Sequence, residues 1–164
     1  MDKKDELIEL DYEEKKKEFV QFLESGKNTT MVLATSYKDR VLARNVLTVS
    51  KGLDIYFFTW RHSRKCRQIQ KNPQVALCKD NVQIEGVAVI LGNFVEERTK
   101  KYTDIIRNRF PEAVKRWEDR PGMVIVRVRP TLIVIGGRTV DNNIYLDFLD
   151  LKNDTAYAEK WAYY

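Results

Sequence analysis

The hydrophobic pattern of this chain changes from helical to strand-like after its first 26 residues. Residues 11–25 carry an apolar stripe near their end and are followed by Gly26, which predicts a helix that stops at that glycine. Apolar runs rich in β-branched and aromatic residues follow at 31–37, 41–50 and 53–59, separated by short polar turns. Because these turns leave no room for crossover helices, the runs predict antiparallel strands.

The rest of the chain mixes both kinds of element. Residues 63–71 predict a short helix that ends before Asn72-Pro73, since a proline disfavours a helical residue before it. Gly86 and Gly92 are interpreted as bulges in one long strand, and Gly136-Gly137 as a turn or bulge that breaks the strand pattern. Further strands are predicted at 74–79, 82–95, 123–129, 132–135 and 143–148, and helices at 96–110, 112–118 and 154–161.

These elements predict a mainly β (α+β) fold, an antiparallel barrel with peripheral helices. Six or seven strands at short spacing, with helices inserted rather than alternating, disfavour a doubly wound parallel sheet. The chain has 164 residues, a length typical of one domain. We therefore expect a single domain over residues 1–164, with disorder allowed over residues 1–10.

The composition narrows the function classes. With two cysteines and one histidine, the chain lacks a disulfide framework and the several imidazoles of a multi-histidine site, so no metal is expected. The longest uncharged runs, of about ten residues, are too short to cross a bilayer. The first 12 residues have no apolar segment typical of a secretion signal. We expect a soluble cytoplasmic protein with no membrane partner.

A basic segment marks the start of the helix predicted at 63–71. Residues 61–71 contain five basic residues and no acidic residue. Ser63 suits the N-cap, so Arg64 and Lys65 would occupy the first turn, where the helix dipole disfavours each cation by about 0.3–1 kcal/mol. Either an anion bound there compensates that cost, or the two cations lie on a solvated helix face that tolerates it. Arg44 interrupts an apolar strand and either faces solvent or faces the same anion.

Two cysteines complete the list of reactive side chains. Cys66 lies in the basic segment, where a positive field would lower its pKa, but it is interpreted as a packed thiol. Cys78 falls in a predicted strand and is expected in the core.

Five short segments, in this order and spacing, resemble the pyridoxamine 5′-phosphate oxidase-like FMN-binding split barrels. The resemblance is clearest over residues 31–95. Its segments are Arg44-Asn45-Val46-Leu47, Phe58-Thr59, Ser63-Arg64-Lys65, Gln68-Ile69 and Asn72-Pro73. The resemblance implies a split-barrel homodimer that binds FMN at the subunit interface.

The resemblance also implies which residues contact the cofactor. The strand arginine and the Ser-Arg-Lys group would hold the FMN phosphate, and the strand backbone would lie near the flavin ring. The aromatic–threonine pair would belong to the same site, and the partner subunit would contribute an amide. The phosphate contacts would be Arg44, Ser63, Arg64 and Lys65, and the backbone near the ring would be that of Asn45, Val46 and Leu47. The aromatic–threonine pair is Phe58 and Thr59, and the amide of the partner subunit would be Asn81 or Gln83.

One departure separates this chain from authentic pyridoxamine 5′-phosphate oxidases. Those proteins resemble one another in a C-terminal Arg-Leu-His-Asp-Arg segment that binds the pyridoxal substrate. Nothing here matches it, since the only histidine is His62. We therefore expect a flavin-dependent oxidoreductase acting on an unidentified small molecule, with no catalytic residue assigned.

Other functions stay open on the sequence alone. They are a non-catalytic flavin-binding or sensor protein, and a split barrel that binds haem or a deazaflavin, since a deazaflavin also carries phosphate. Nucleic-acid binding through residues 61–71 is disfavoured, because both ends of the chain are acidic and no RNA-binding motif is present.

Overall fold

Ten strands and four α-helices make up the described part of the chain, which covers residues 7–26 and 29–161 of the computed structural model. The helices are α1 (Tyr12–Glu24), α2 (Arg64–Lys71), α3 (Lys100–Arg109) and α4 (Pro111–Trp117), with a 3-10 turn at Glu97–Thr99. The strands are β1 (Ile8–Leu10), β2 (Thr30–Tyr37), β3 (Arg40–Leu47), β4 (Val49–Lys51), β5 (Asp54–Trp60), β6 (Gln74–Lys79), β7 (Val82–Asn93), β8 (Met123–Val140), β9 (Asn143–Asp150) and β10 (Thr155–Lys160).

The long strand β8 organises the sheet. One path of paired strands runs β1-β10-β9-β8-β7-β6-β2-β3, and every neighbouring pair is antiparallel. β5 pairs with the first part of β8, and β4 pairs with β5. β3 approaches β5 without pairing to it, so the sheet stays open between these two strands. This open antiparallel sheet with a few helices confirms the predicted fold class, a split barrel.

Apolar side chains fill two clusters. The larger one lies between α1 and the strands and contains the fully buried Phe19, Leu33 and Phe57. The smaller one lies between β5, β8 and the helices α3 and α4, and contains Ile106 and Ile125. Since side chains along a strand alternate between its two faces, this burial also decides which face of β2 and β3 points outward.

The described helices are short. α1 is the longest, with 13 residues, and it begins after Asp11, whose carboxylate accepts a hydrogen bond from the backbone N–H of Glu14 at 2.8 Å. Within the described ranges, no helix combines the length and the apolar character that crossing a bilayer requires.

The predictions around β8 are partly wrong. β8 is continuous, whereas the sequence predicts two strands separated at Pro130. Pro130 fits because it pairs with Gly86 at a register shift, where the ladder is already interrupted. Gly136-Gly137 also carries a register shift and does not end the strand. The bulges predicted at Gly86 and Gly92 are confirmed.

The helix predicted at 154–161 is wrong. These residues form β10, which pairs with β9 on one side and with β1 on the other. Ala156 and Ala158 are buried and the residues between and beside them are more exposed, which is the period of a strand. β1 lies within the stretch for which disorder is allowed, and residues 1–6 of that stretch lie outside the described residues.

Candidate functional site

The cations at the start of α2 lie where the sequence predicts. Ser63 caps the helix, because its hydroxyl oxygen accepts a hydrogen bond from the backbone N–H of Cys66 at 3.3 Å. Arg64 and Lys65 therefore occupy the first turn, which contains no acidic residue. The N-cap prediction is confirmed, and two positive charges lie at the positive end of the helix dipole.

Arg44 points inward from β3 and not toward solvent. It pairs with Leu33, whose side chain is fully buried, so it belongs to the core-facing side of the sheet. Its guanidinium donates hydrogen bonds to the carbonyl of Leu33 at 3.2 Å and to the hydroxyl of Thr35 at 2.7 Å. The Thr35 hydroxyl donates in turn to the side-chain oxygen of Gln68 on α2 at 2.6 Å. These bonds hold Arg44 beside the start of α2.

Lys65 connects α2 to β5. Its ammonium donates a hydrogen bond to the hydroxyl of Thr59, near the end of β5, at 2.9 Å. Thr59 is itself buried. The helix that carries Arg64 and Lys65 thus lies at the opening between β3 and β5, held to β2 through Gln68 and to β5 through Lys65.

The three cations, Arg44, Arg64 and Lys65, form a group, here called the cation cluster, that no carboxylate of the described residues neutralises. Burial lowers the pKa of Lys65, and the charge of Arg44 lowers it further. Burial likewise lowers the pKa of Arg44, with a further contribution from Arg64. Within residues 7–26 and 29–161, no carboxylate forms an ion pair with any of the three. An anion such as a phosphate would relieve this repulsion.

The residues after Arg44 alternate between the two faces of β3. Val46 is buried in the core, whereas Asn45 and Leu47 are exposed on the outer face of the sheet. Gln83 lies in the same cross-strand row as Asn45, three strands away along β3-β2-β6-β7. With neighbouring strands about 4.8 Å apart, these two residues are about 14 Å apart within one chain.

Two further predicted residues lie apart from the cation cluster in this chain. The side-chain amide of Asn81 donates a hydrogen bond to the carbonyl of Gly136. Phe58 points to the other side of β5 from Thr59 and packs on Phe94, with ring centroids 5.7 Å apart. Since the amide is expected from the partner subunit, the position of Asn81 or Gln83 in one chain leaves that prediction untested.

The outer face of β3-β2-β6-β7 exposes several apolar side chains among polar ones such as Gln83 and Glu85. Large apolar side chains and a cross-strand row of small ones lie on this face. The alternation of side chains along each strand points all of them to the same side of the sheet as Asn45. The large ones are Val32, Val41, Leu47 and Val89, and the small ones are Ala34, Ala43 and Ala76. Exposed apolar patches of this kind are typical of interaction surfaces.

Two residues that position the cation cluster were not predicted. Thr35 is 1 % exposed and Gln68 is 8 % exposed, and both form hydrogen bonds in the network of Arg44. The available signal was the position of Thr35, which follows Met31 and Leu33 at inward-facing positions of β2. A buried hydroxyl needs a partner, so a threonine in that place indicates a polar neighbour across the core.

The cysteine predictions have different outcomes. Cys66 is fully buried, and burial raises the pKa of its thiol, as expected for a packed side chain. Cys78 is exposed on β6, so its predicted place in the core is wrong. It faces outward because the neighbouring Leu77 takes the inward position.

The comparisons with known proteins agree with this geometry. A family profile described as pyridoxamine 5′-phosphate oxidase matches residues 15–134. General Stress Protein 26 from Bacillus anthracis has 24% identity and a TM-score of 0.58, over 82% of this chain and 98% of that one. The haem storage protein HutZ from Vibrio cholerae has 19% identity and a TM-score of 0.57, over 74% and 91%.

A third solved structure is a pyridoxamine 5′-phosphate oxidase-related FMN-binding protein from Nostoc punctiforme, with 12% identity, a TM-score of 0.59, and coverage of 89% and 94%. A comparison with curated protein sequences gave no match. The structural similarities show the fold. Since the family profile spans most of the sequence and includes the whole cation cluster, this chain belongs to the pyridoxamine 5′-phosphate oxidase family.

Proposed function

We propose that this protein binds FMN as a homodimer and acts as a flavin-dependent oxidoreductase on a small molecule. The observation that carries the proposal is the cation cluster, in which Arg44, Arg64 and Lys65 meet at a helix N-terminus with no carboxylate among their described partners. A phosphate monoester carries close to two negative charges at neutral pH, so one such group would compensate most of the cluster.

The residues present fit a flavin phosphate by their chemistry. The guanidinium groups of Arg44 and Arg64 and the ammonium of Lys65 supply charged donors, and the free backbone N–H groups after Ser63 add neutral ones. Thr59 accepts a hydrogen bond from Lys65 and so holds the ammonium in place. FMN would therefore be held mainly by its phosphate at the opening between β3 and β5.

The chain itself would bind and orient the cofactor, whose ring supplies the electron-transfer chemistry when it is bound. Asn45 and Leu47 follow Arg44 along the edge strand β3, so their backbone would lie next to the phosphate site, while their side chains lie on the outer face. No side chain of the chain is needed as a nucleophile. This division of roles is consistent with the single histidine, His62, lying exposed.

The homodimer is proposed from the exposed apolar side chains on the outer face of β3-β2-β6-β7. A flat ring placed beside Asn45 needs a second wall that excludes water, and this face offers exposed Val41 and Leu47 for contact with another copy. An isologous two-fold interface would give two equal sites. The amide of Gln83 or Asn81 would then reach the flavin of the partner.

Oxidation of pyridoxamine 5′-phosphate is not proposed for this chain. The Arg-Leu-His-Asp-Arg segment does not occur in these 164 residues, whose one histidine is His62. A substrate phosphate without matching cations loses most of its binding energy.

The first experiment is the absorption spectrum of the purified protein, followed by the mass of the released cofactor and calorimetric titration of the stripped protein with FMN. We expect a flavin spectrum, an FMN mass and saturable binding. A Soret band with a haem mass would instead support a haem-binding protein, since haem propionates would also pair with these cations. A deazaflavin mass would correct the cofactor, and a protein without any chromophore or FMN uptake would refute the proposal.

The second experiment separates an oxidoreductase from a flavin carrier. FMN-loaded protein is mixed without oxygen with NADH, NADPH or pyridoxamine 5′-phosphate, and the flavin absorbance is followed. We expect bleaching by a reduced nicotinamide and none by pyridoxamine 5′-phosphate. Bleaching by pyridoxamine 5′-phosphate alone would contradict the argument from the missing segment. No bleaching by any of the three would favour a non-catalytic flavin-binding protein.

A further inference from the structure

A basic groove opens next to the cation cluster. It has a volume of about 410 Å³ and lies between α2 and the hairpin of β2 and β3. This volume falls in the range of about 300–1,000 Å³ that is typical of small-molecule sites. Its lining includes Tyr37, Arg40, Leu42, Arg64, Arg67 and Lys71.

The lining of the groove is strongly positive. It contains three arginines and one lysine, and none of the described residues that line it carries a carboxylate. Arg64, Arg67 and Lys71 follow one another at helical spacings of three and four residues, so they lie on one face of α2. Lys38 adds a positive charge nearby, with its ammonium 5.7 Å from the centre of the Tyr37 ring. Like charges at these spacings destabilise a helix, so a bound anion would relieve them.

The groove is continuous with the cation cluster. Arg64 belongs to both, and Gln68 lies between them. The side-chain oxygen of Gln68 accepts from Thr35 at 2.6 Å, and its amide nitrogen donates to the carbonyl of Arg40 at 3.0 Å. Both functional groups of Gln68 are thus used, which fixes the boundary between the two sites.

This continuity determines what kind of anion the groove suits. A mononucleotide ends at its phosphate, whereas a dinucleotide continues from that phosphate into a second phosphate, a ribose and a base. The arginines and the lysine provide donors for a second phosphate. Tyr37 and Leu42 provide the apolar and aromatic surface that a base requires. Arg64, which belongs to both sites, would contact both phosphates of such a dinucleotide.

We propose that the groove binds the adenylate half of FAD, so that the chain binds FAD as well as FMN and binds FAD more tightly. This proposal rests on the proposed flavin-binding function. It assigns the cation cluster to the phosphate next to the flavin half. It assigns Arg40, Arg67 and Lys71 to the second phosphate and its adenosine.

The test compares the two flavins on the full-length protein stripped of its cofactor. Calorimetry gives the Kd of FMN and of FAD for the wild type and for the double variant Arg67→Gln/Lys71→Gln. We expect the wild type to bind FAD about tenfold more tightly than FMN. In the double variant, the Kd of FAD should rise by about tenfold, while the Kd of FMN should change by less than about twofold. Both substituted side chains are exposed, so the folded state is expected to persist, which circular dichroism checks.

A matched control removes the same charge elsewhere. The variant Lys115→Gln/Arg116→Gln lies on α4, where both side chains are exposed and form no ion pair with a described residue. It should leave both affinities unchanged. If the control weakens FAD as much as the groove variant does, net charge explains the effect and the groove proposal is overturned.

The remaining outcomes separate this proposal from the one on which it rests. If FMN binds but FAD binds no more tightly, or if the groove variant weakens both flavins equally, the groove proposal fails and flavin binding stands. If the FMN-loaded protein binds ADP through Arg67 and Lys71 while FAD shows no preference, the groove serves a separate nucleotide, which also overturns it. If neither flavin binds, the proposed flavin-binding function is refuted, and the groove proposal is refuted with it.

Discussion

Arg44 donates a hydrogen bond to the hydroxyl of Thr35, with Nη1 and Oγ1 2.7 Å apart. A guanidinium has no acceptor, so Thr35 must accept this bond and is free to donate its own proton to the side-chain oxygen of Gln68, 2.6 Å away. The amide of Gln68 then donates to the carbonyl of Arg40. The direction of every bond in this chain is fixed, and the chain ties β2, β3 and α2 together behind the cation cluster.

Thr35→Val should weaken both the fold and the proposed flavin site. Valine has a similar shape but no hydroxyl, so Gln68 loses its donor and Arg44 loses an acceptor within a buried site. We expect a loss of about 1–3 kcal/mol in the free energy of unfolding, measured by urea denaturation. We also expect FMN to bind several-fold more weakly, because Arg44 is no longer held toward α2.

Thr35→Ser is the matched control for that experiment. Serine keeps the hydroxyl, so FMN affinity should stay near the wild-type value even where the lost methyl group lowers stability. Equal FMN affinities for the valine and serine variants would contradict a positioning role of Thr35.

Removing either helix cation should weaken FMN binding directly. Arg64→Ala and Lys65→Ala each delete a charge-assisted bond worth about 1.5–3 kcal/mol, which corresponds to about a tenfold to hundredfold higher Kd. Arg67→Ala, one turn later on the same helix, is the control and should change the Kd of FMN only slightly. Unchanged FMN affinity in both first-turn variants would remove the phosphate assignment.

The FMN affinity of the wild type and that of Lys65→Ala should depend differently on pH. The pKa of Lys65 is lowered in the folded protein, first by burial and then by Arg44, so the ammonium form is disfavoured relative to the unfolded chain. Protonation of Lys65 therefore costs stability below its folded pKa, and this cost disappears as the pH rises toward the ordinary lysine value. As the pH rises over this range, the wild type should bind FMN more weakly, because Lys65 loses its charge. The FMN affinity of Lys65→Ala should not show this decrease.

Disrupting the outer face should separate the two proposed subunits. Ala43 lies exposed in the row of small side chains on β3, so Ala43→Glu places a charge at the proposed contact without filling the core. We expect sedimentation to show a shift from dimer to monomer, together with weaker FMN binding. Val140→Glu, at an exposed position near the end of β8, is the control and should remain a dimer. A wild-type monomer that binds FMN stoichiometrically would refute the shared site.

The parts of this molecule that could be predicted are those set by local signals. Ser63 at the cap and Asn72-Pro73 after the last turn delimit α2 with residues close in sequence, and the structure has it at the predicted place. Gly86 and Gly92 mark bulges because a glycine interrupts an otherwise regular strand pattern. In each case the cause lies within a few residues of the effect.

The parts that could not be predicted depend on distant partners. β10 is a strand because β9 and β1 pair with it from both sides, and a six-residue segment of Thr, Ala, Tyr, Glu and Lys does not show this by itself. The inward direction of Arg44 depends on Thr35 and Gln68, and those two residues are 33 positions apart. Pro130 is tolerated within β8 because the ladder with β7 shifts its register there, with Thr131 as the extra residue of β8.

Alkaline unfolding should report on Tyr56, which lies in the smaller apolar cluster. Burial raises the pKa of Tyr56 to about 12, and the carboxylate of Asp54, 3.3 Å from its hydroxyl, adds to this shift. The folded state therefore favours the neutral phenol. Its contribution to stability is complete below the unfolded pKa of about 10 and is lost as the pH rises from about 10 to 12. One tyrosine contributes at most about 1.4 kcal/mol per pH unit over that range.

Tyr56→Phe should make the fall of stability above pH 10 less steep, because phenylalanine has no proton to lose. Urea midpoints at several pH values between about 8 and 12 would measure the slope. At neutral pH the variant should lose only about 0.5–1.5 kcal/mol, the value of one hydrogen bond. Tyr12 provides the comparison, since burial and Asp154 also raise its pKa to about 12, so the alkaline slope of Tyr56→Phe should be reduced but not abolished. Identical slopes in the wild type and Tyr56→Phe would show that Tyr56 ionises equally in the folded and unfolded states.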